Sequence, residues 1–317
     1  MNLKDGNNIF GSPDDELISA VLEELCVPES YQLVYHNAAN HDIHMPSISA
    51  LTAVMEMLKS IIFPGYFSHS EMKPGTMKYY IGSTLDSVYR ILSEQIKRGF
   101  CFLCAAGDYD RRTECEIRAG DISALFLKKL PEIRSMLGKD AQAAYCGDPA
   151  AKGIGEVIFS YPSIQALTNH RIAHELYNLD VPLIPRIISE MAHSDTGIDI
   201  HPGATIDESL FIDHGTGTVI GETCKIGKNV RIYQGVTLGA KSFPLDNEGN
   251  PIKGIDRHPN VEDDVIIYSG ATILGPVTIG KGAEIGGNVW ITDNIPPKAR
   301  IHQQKPEERF FSEGSGI

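Results

Sequence analysis

Between residues 197 and 295 an aliphatic side chain returns at every sixth position. Ile200, Ile206 and Ile212 are six apart; after a step of eight come Ile220, Ile226, Ile232 and Leu238; after a long interruption come Val261, Ile267, Ile273, Ile279, Ile285 and Ile291. A smaller or aliphatic residue stands four positions after most of them, as at Ala204, Cys224, Val230, Val236, Val265, Ala271, Val277, Ala283 and Val289. An amphipathic helix repeats every 3.6 residues and a half-buried strand every two. A period of six fits a solenoid of short strands, three to a triangular coil, with the aliphatic residue aimed into the prism. Gly221, Gly227, Gly239, Gly280 and Gly286 directly follow an aliphatic position. They suit tight corners, where a positive φ or a close backbone approach is needed.

A regular scaffold carries its chemistry where the rule is broken. There are two breaks. One is the extra pair of residues within Asp213-His214-Gly215-Thr216-Gly217-Thr218; the other is the stretch 239–260, which must leave the prism as a loop. Each break holds a histidine preceded by a charged residue, Asp213-His214 and Arg257-His258.

The preceding part has another character. Residues 1–196 hold 12 of the 30 glycines, and the remaining 121 residues hold 18. Amphipathic or buried patterns predict helices over 14–26, 48–63, 77–98, 121–138, 163–178 and 182–194. Ser12-Pro13, Pro162 and Pro182 would mark helix starts, and Gly99 and Gly138 helix ends. The expected organisation is an α+β multidomain chain: an all-α domain (1–196), a parallel β-helix of hexapeptide repeats (197–295) and a C-terminal tail (296–317).

Composition excludes several functions. A net charge of -13 leaves no bulk basic surface for nucleic acid. No apolar run reaches the 18 or so residues of a membrane span. The first residues lack a signal-peptide core, so a cytoplasmic protein is expected. Six cysteines are too few and too scattered for a disulfide framework. Cys101 and Cys104 read as buried thiols, and no metal site is expected. Cys224 fills an inward slot of the repeat and reads as inert, which disfavours an acyl-enzyme route.

Longer strings carry a resemblance. GIDIHPGATI (197–206), IDHGTGTVIGET (212–223), QGVTLGA (234–240) and DRHP (256–259), with GDPAA (147–151) and QALTNHRIAHELY (165–177) upstream, resemble the serine acetyltransferase family of hexapeptide-repeat acyltransferases. The resemblance covers about 146–295. The loop before Asp256 is longer and less glycine-rich than the family's, and IPPKARIHQQKP replaces its usual ending.

The resemblance implies a left-handed parallel β-helix. It also implies transfer of acetyl from acetyl-CoA to the hydroxyl of L-serine in cysteine biosynthesis, by direct attack in a ternary complex. It implies His214 as general base and Asp199 as the group holding that imidazole. Asp148 and Asp213 would bind the serine ammonium and Arg257 its carboxylate, while His258 would contact the serine as a second acid or base. Gly239, Ala240, Ser269 and Gly270 would line the thioester and pantetheine path. Acetyl-CoA would be a co-substrate, with no permanently bound cofactor. L-Cysteine would be a feedback inhibitor. The terminal Ile317 would enter O-acetylserine sulfhydrylase.

The residues themselves leave Glu222 open between catalytic support and a corner charge. His201 and His302 read as solvated. Rival readings are a hexapeptide acetyltransferase for a sugar or amine, which would lack the Asp-Arg-His-Pro string, and a zinc β-helix of the γ-carbonic anhydrase kind. The latter needs two close histidines, whereas His201, His214 and His258 are 13 and 44 apart. Counting coils from Ile212 to Val261 puts His214 and His258 on different edges of the prism. A homotrimer, or a dimer of trimers joined by the N-terminal helices, is therefore expected to bring them together.

Overall fold

A computed structural model describes residues 13–32, 34, 44–67, 73–103 and 111–304. Eight helices precede the solenoid among the described residues: α1 (Pro13–Cys26), α2 (Pro28–Tyr31), α3 (Ile48–Ile62), α4 (Pro74–Leu103), α5 (Arg111–Gly147), α6 (Ile154–Ser160), α7 (Pro162–Asn178) and α8 (Ile184–Thr196). Local chemistry sets several ends. Ser47 caps α3 by accepting from the Ala50 N–H, Pro162 occupies the first turn of α7, and Gly197 closes α8 in the left-handed conformation.

The helix ends expected at Gly99 and Gly138 are not there: both glycines lie inside longer helices. The apolar stripe continues beyond Gly138 through Ala141 and Ala144, both buried, and packing overrides the low helix propensity of one glycine. At Gly99 a Cβ would come within 3.0 Å of the Pro182 carbonyl oxygen, so α4 needs a bare backbone there. Pro182 does not start α8; Pro185 sits in its first turn. The short helices α2 and α6 carry no sequence signal that singled them out. Ser12 and Cys104 fall outside the described residues, and Cys101 is buried.

From Asp199 the chain winds as a parallel β-solenoid. The first face holds β1 (Asp199–Ile200), β4 (Val219–Ile220), β7 (Thr237–Gly239), β10 (Thr272–Leu274) and β13 (Trp290–Ile291). The second holds β2 (Thr205–Ile206), β5 (Lys225–Ile226), β8 (Asn260–Val261) and β11 (Thr278–Ile279). The third holds β3 (Phe211–Asp213), β6 (Arg231–Tyr233), β9 (Ile266–Ile267), β12 (Glu284–Ile285) and β14 (Arg300–Ile301). The period is the register: Ile200 pairs with Ile220, Ile220 with Leu238, Leu238 with Ile273 and Ile273 with Ile291. Each of the thirteen aliphatic positions is at most 5% exposed, so the ladder is the core of the prism.

The glycines behind the aliphatics do not adopt positive φ. The left-handed corner residues entering the first face are Gly197, Gly217, Gly235, Gly270 and Asn288 instead. The coil also continues past residue 295. Ile295 bridges to Ile279 and Ile301 pairs with Ile285. The corner after Ile291 is two residues shorter than a regular one, which hides this coil from a search for sixes.

Two contacts seat the helices on the solenoid. Buried Arg171 of α7 grips Asp140 of α5 through two nitrogens, at 2.7 and 2.9 Å, and also donates to the carbonyls of Ile206 and Asp207. Asp140 in turn accepts from the Leu210 N–H. At the end of α5, Gly147 lies so close to the Phe211 ring that a Cβ would approach to 2.5 Å. Among the described residues no helix is long and apolar enough to cross a membrane.

Candidate active site

The edge entering the first face holds one cluster. After β3 the regular ladder resumes at Thr216 and Gly217: Gly217 N–H donates to the Gly197 carbonyl at 2.8 Å, and Thr216 carbonyl accepts from Gly235 at 3.0 Å. The two extra residues are thus His214 and Gly215, which swing outward with φ of 54° and 80°. A histidine held at positive φ costs about 1–3 kcal/mol, a strain that concentrates at functional positions. Its side chain is 74% exposed, and its Nδ1 lies 3.9 Å from Asp213 Oδ1.

Asp148 arrives at this edge from the end of α5. Its Oδ1 accepts from the Ala150 N–H at 2.7 Å and its Oδ2 from the Tyr161 hydroxyl at 2.5 Å. Those two donors hold the carboxyl below its ordinary range, Tyr161 first, with His214 adding to the effect. The same bond pushes the Tyr161 phenol up to about 12. Tyr233 stands beside Asp213 in register and stacks on Tyr268 at 5.3 Å between ring centroids. Burial, then the charge of Asp213, raises its phenol. Ser269 and Gly270 follow on the same edge, one coil beyond Gly235, with Gly270 N–H donating to Gln234 at 2.9 Å.

The edge leaving the first face holds the second cluster. The loop from Gly239 closes on itself around Asp246, whose side chain accepts from the Glu248 and Asn250 amides, and a bridge joins Leu245 to Pro251. It returns at Arg257 and His258 onto the corner of the coil before. There the Thr223 hydroxyl accepts from both the Arg257 and His258 amides, at 3.0 and 3.2 Å. Arg257 pairs with Glu222, which also accepts from the Tyr177 hydroxyl at 3.1 Å. Burial raises the Glu222 carboxyl, but Arg257 and Tyr177 outweigh it and hold the group charged. The His258 ring lies over Gly221, where a Cβ would come within 2.1 Å. Only glycine leaves room for it.

The surroundings of His258 select one tautomer of its neutral ring. The Thr223 N–H can only donate, and it points at Nδ1 at 3.1 Å. Nδ1 is therefore the acceptor, and the proton of the neutral ring sits on Nε2. Burial first, then Arg257, lowers its pKa to about 4. Gly239 and Ala240 lie at this edge too, Gly239 paired with Leu274.

The expected site residues therefore fall into two groups: Asp148, Asp213, His214, Ser269 and Gly270 at one edge, Arg257, His258, Gly239 and Ala240 at the other. The first face separates them by about five residues, roughly 17 Å of extended chain. Asp199 joins neither. It lies on that face against Glu190 and His193 of α8, the three side chains offering ligand atoms within 4.8 Å of one another. Among the described residues no hydrogen bond links it to His214.

His201 is not solvated as expected. It is half-buried against Tyr177, accepts from the Gly203 amide, and burial lowers its pKa. Cys224 is buried, with its thiol pushed up to about 12, as an inert residue requires. Sequence reasoning did not find Thr223, Tyr177 or Tyr161. Their partners lie 34 or more, 45 and 13 residues away, and only the fold brings them together.

Comparison with known proteins adds names to this geometry. The pattern of the family described as bacterial transferase hexapeptide (six repeats) matches residues 258–293. A plasmid-borne serine acetyltransferase of Synechococcus elongatus is 47% identical over 305 residues, spanning 96% of this chain and 94% of its own. Entamoeba histolytica serine acetyltransferase 1, solved in complex with L-cysteine, superposes with a TM-score of 0.69 at 33% identity, over 92% of this chain and 99% of that one. A serine acetyltransferase solved in complex with CoA gives a TM-score of 0.51 at 25% identity, over 81% of this chain and 98% of that one.

Proposed function

This chain belongs to the serine acetyltransferase family, and we infer from that premise that it transfers acetyl from acetyl-CoA to the hydroxyl of L-serine. The products are O-acetyl-L-serine and CoA. The observation that carries the reading, beyond kinship, is the placement of the two repeat breaks. Each puts a histidine beside charged groups that fit one end of an amino acid.

In the proposed mechanism Asp148 and Asp213 take the ammonium of serine, and Arg257 takes its carboxylate. His214 accepts the hydroxyl proton as Oγ attacks the thioester carbonyl carbon. The tetrahedral intermediate collapses, the C–S bond breaks, and the imidazolium returns its proton to the CoA sulfur. His258 acts as a neutral donor through Nε2–H toward the bound serine. Its Nδ1 is engaged, so it is not a second base. The pantetheine arm would run past Ser269 and Gly270 at one edge and Gly239 and Ala240 at the other. There bare backbone amides can approach the developing oxyanion.

The two groups of residues lie on different edges, so we place the active site between subunits. In a closed trimer the His214 edge of one chain meets the His258 edge of the next. Asp199, on the intervening face, would hold the imidazole of a neighbour's His214.

L-Cysteine has the same ammonium and carboxylate as serine and would compete for the same anchors. The tail ending in Ile317, outside the described residues, would present an aliphatic side chain with a carboxylate to O-acetylserine sulfhydrylase; binding that survives deletion of Ile317 would remove that idea.

Thiol release from acetyl-CoA tests the activity. L-Serine is expected to support it well above homoserine, threonine and a sugar acceptor, with L-cysteine inhibition relieved by excess serine. Equal or better turnover with a sugar or amine would favour the rival acetyltransferase reading.

A further inference from the structure

We propose that Tyr161 is a positioning residue for the acceptor amino acid: its hydroxyl, delivered by the junction of α6 and α7, fixes the Asp148 carboxylate over the end of β3. The proposal rests on the reading of Asp148 as an ammonium anchor.

Asp148 sits just past the last turn of α5, where a carboxylate is ordinarily free to rotate. Here it is gripped from two sides, by the Ala150 amide on Oδ1 and the Tyr161 hydroxyl on Oδ2. Each carboxylate oxygen accepts two hydrogen bonds, so one place on each remains for an ammonium. Tyr161 is itself anchored through its backbone. Its N–H donates to the Val157 carbonyl of α6, its carbonyl accepts from Ile164 in the first turn of α7, and Pro162 fixes the chain between. Beneath them Gly147 presses α5 onto Phe211, in the strand that ends at Asp213. Two rigid elements thus deliver Asp148 and its tyrosine clamp to the strand that carries the second carboxylate.

Tyr161 stays protonated at any working pH, since the neighbouring carboxylate pushes its phenol up to about 12. It therefore remains a donor. It holds Asp148 and takes no part in proton transfer to or from the reacting hydroxyl.

Steady-state kinetics on the full-length enzyme tests this with Tyr161→Phe, Asp148→Ala and the double variant. A lost hydrogen bond to a charged group predicts a KM for L-serine raised about tenfold in Tyr161→Phe. Its kcat should change less than about threefold, and its KM for acetyl-CoA should not move. In the Asp148→Ala background the same substitution should change the serine KM less than about twofold, there being no carboxylate left to position. An equal effect in both backgrounds would mean that Tyr161 acts on the fold at large and would overturn the proposal. So would an unchanged serine KM in Tyr161→Phe when Asp148→Ala raises it. If Asp148→Ala itself leaves the serine KM unchanged, the reading of Asp148 fails, and this proposal with it.

Discussion

His214 and His258 are the same side chain placed in different surroundings. His214 is exposed on a two-residue bulge, with Nδ1 3.9 Å from Asp213 Oδ1. His258 is pinned by the Thr223 amide, and burial first, then the neighbouring Arg257, favours its neutral form. Removing the first should cost the reaction its base: His214→Ala is expected to lower kcat about 10²–10⁴-fold. His258→Asn keeps an acceptor and a donor and should act mainly on the KM for serine.

His258 also ties stability to pH. The folded His258 pKa, about 4, lies below the ordinary histidine value near 6.5. Its contribution to stability is thus complete above pH 6.5 and is lost as pH falls through about 4. The thermal midpoint of the wild type should fall over that range, and the fall should be smaller in His258→Asn. An identical acid slope in the two proteins would contradict the buried neutral imidazole.

The elements differ in how openly the sequence announces them. The solenoid strands are legible because each contributes one inward aliphatic, and stacking turns that spacing directly into register. The last coil escaped because its corner is two residues short. Helix ends were less legible: Gly99 and Gly138 look like stops, but buried neighbours on both sides carry the helix through. Both breaks in the repeat were visible as positions. What the sequence could not give was the clamp around each: Tyr161 meets Asp148 only where the α6–α7 junction packs beside the end of α5, Thr223 meets His258 only where the loop returns onto the coil before, and Tyr177 meets Glu222 only when α7 docks on the prism.

One bulge can be tested by removal. Deleting His214 and Gly215 restores the six-residue step and relieves two left-handed residues. The shortened protein should fold with a thermal midpoint no lower than the wild type and have no detectable acetyltransfer. A collapse of the fold would mean the bulge is structural; retained activity would remove His214 from the chemistry.

In the whole molecule, one chain keeps the two proposed half-sites apart. The proposed anchors for an ammonium stand at the edge entering the first face, with the proposed base; the proposed anchor for a carboxylate stands at the edge leaving it. A serine molecule is too short to span roughly 17 Å of intervening strand. Packing three prisms around a threefold axis sets one kind of edge against the other in each interface and closes without leaving a half-site unmatched. The buried clamp of Arg171 on Asp140 gives the helical domain a fixed seat on the first coils, which would hold Asp148 in place at each proposed interface. Complementation tests this most directly. Inactive His214→Ala and inactive His258→Ala chains are mixed, unfolded and refolded together, and hybrid trimers are isolated. The account predicts that the hybrids regain acetyltransfer, because some interfaces receive an intact His214 from one parent and an intact His258 from the other. Hybrid trimers that stay inactive, or a wild-type monomer with full activity, would contradict it.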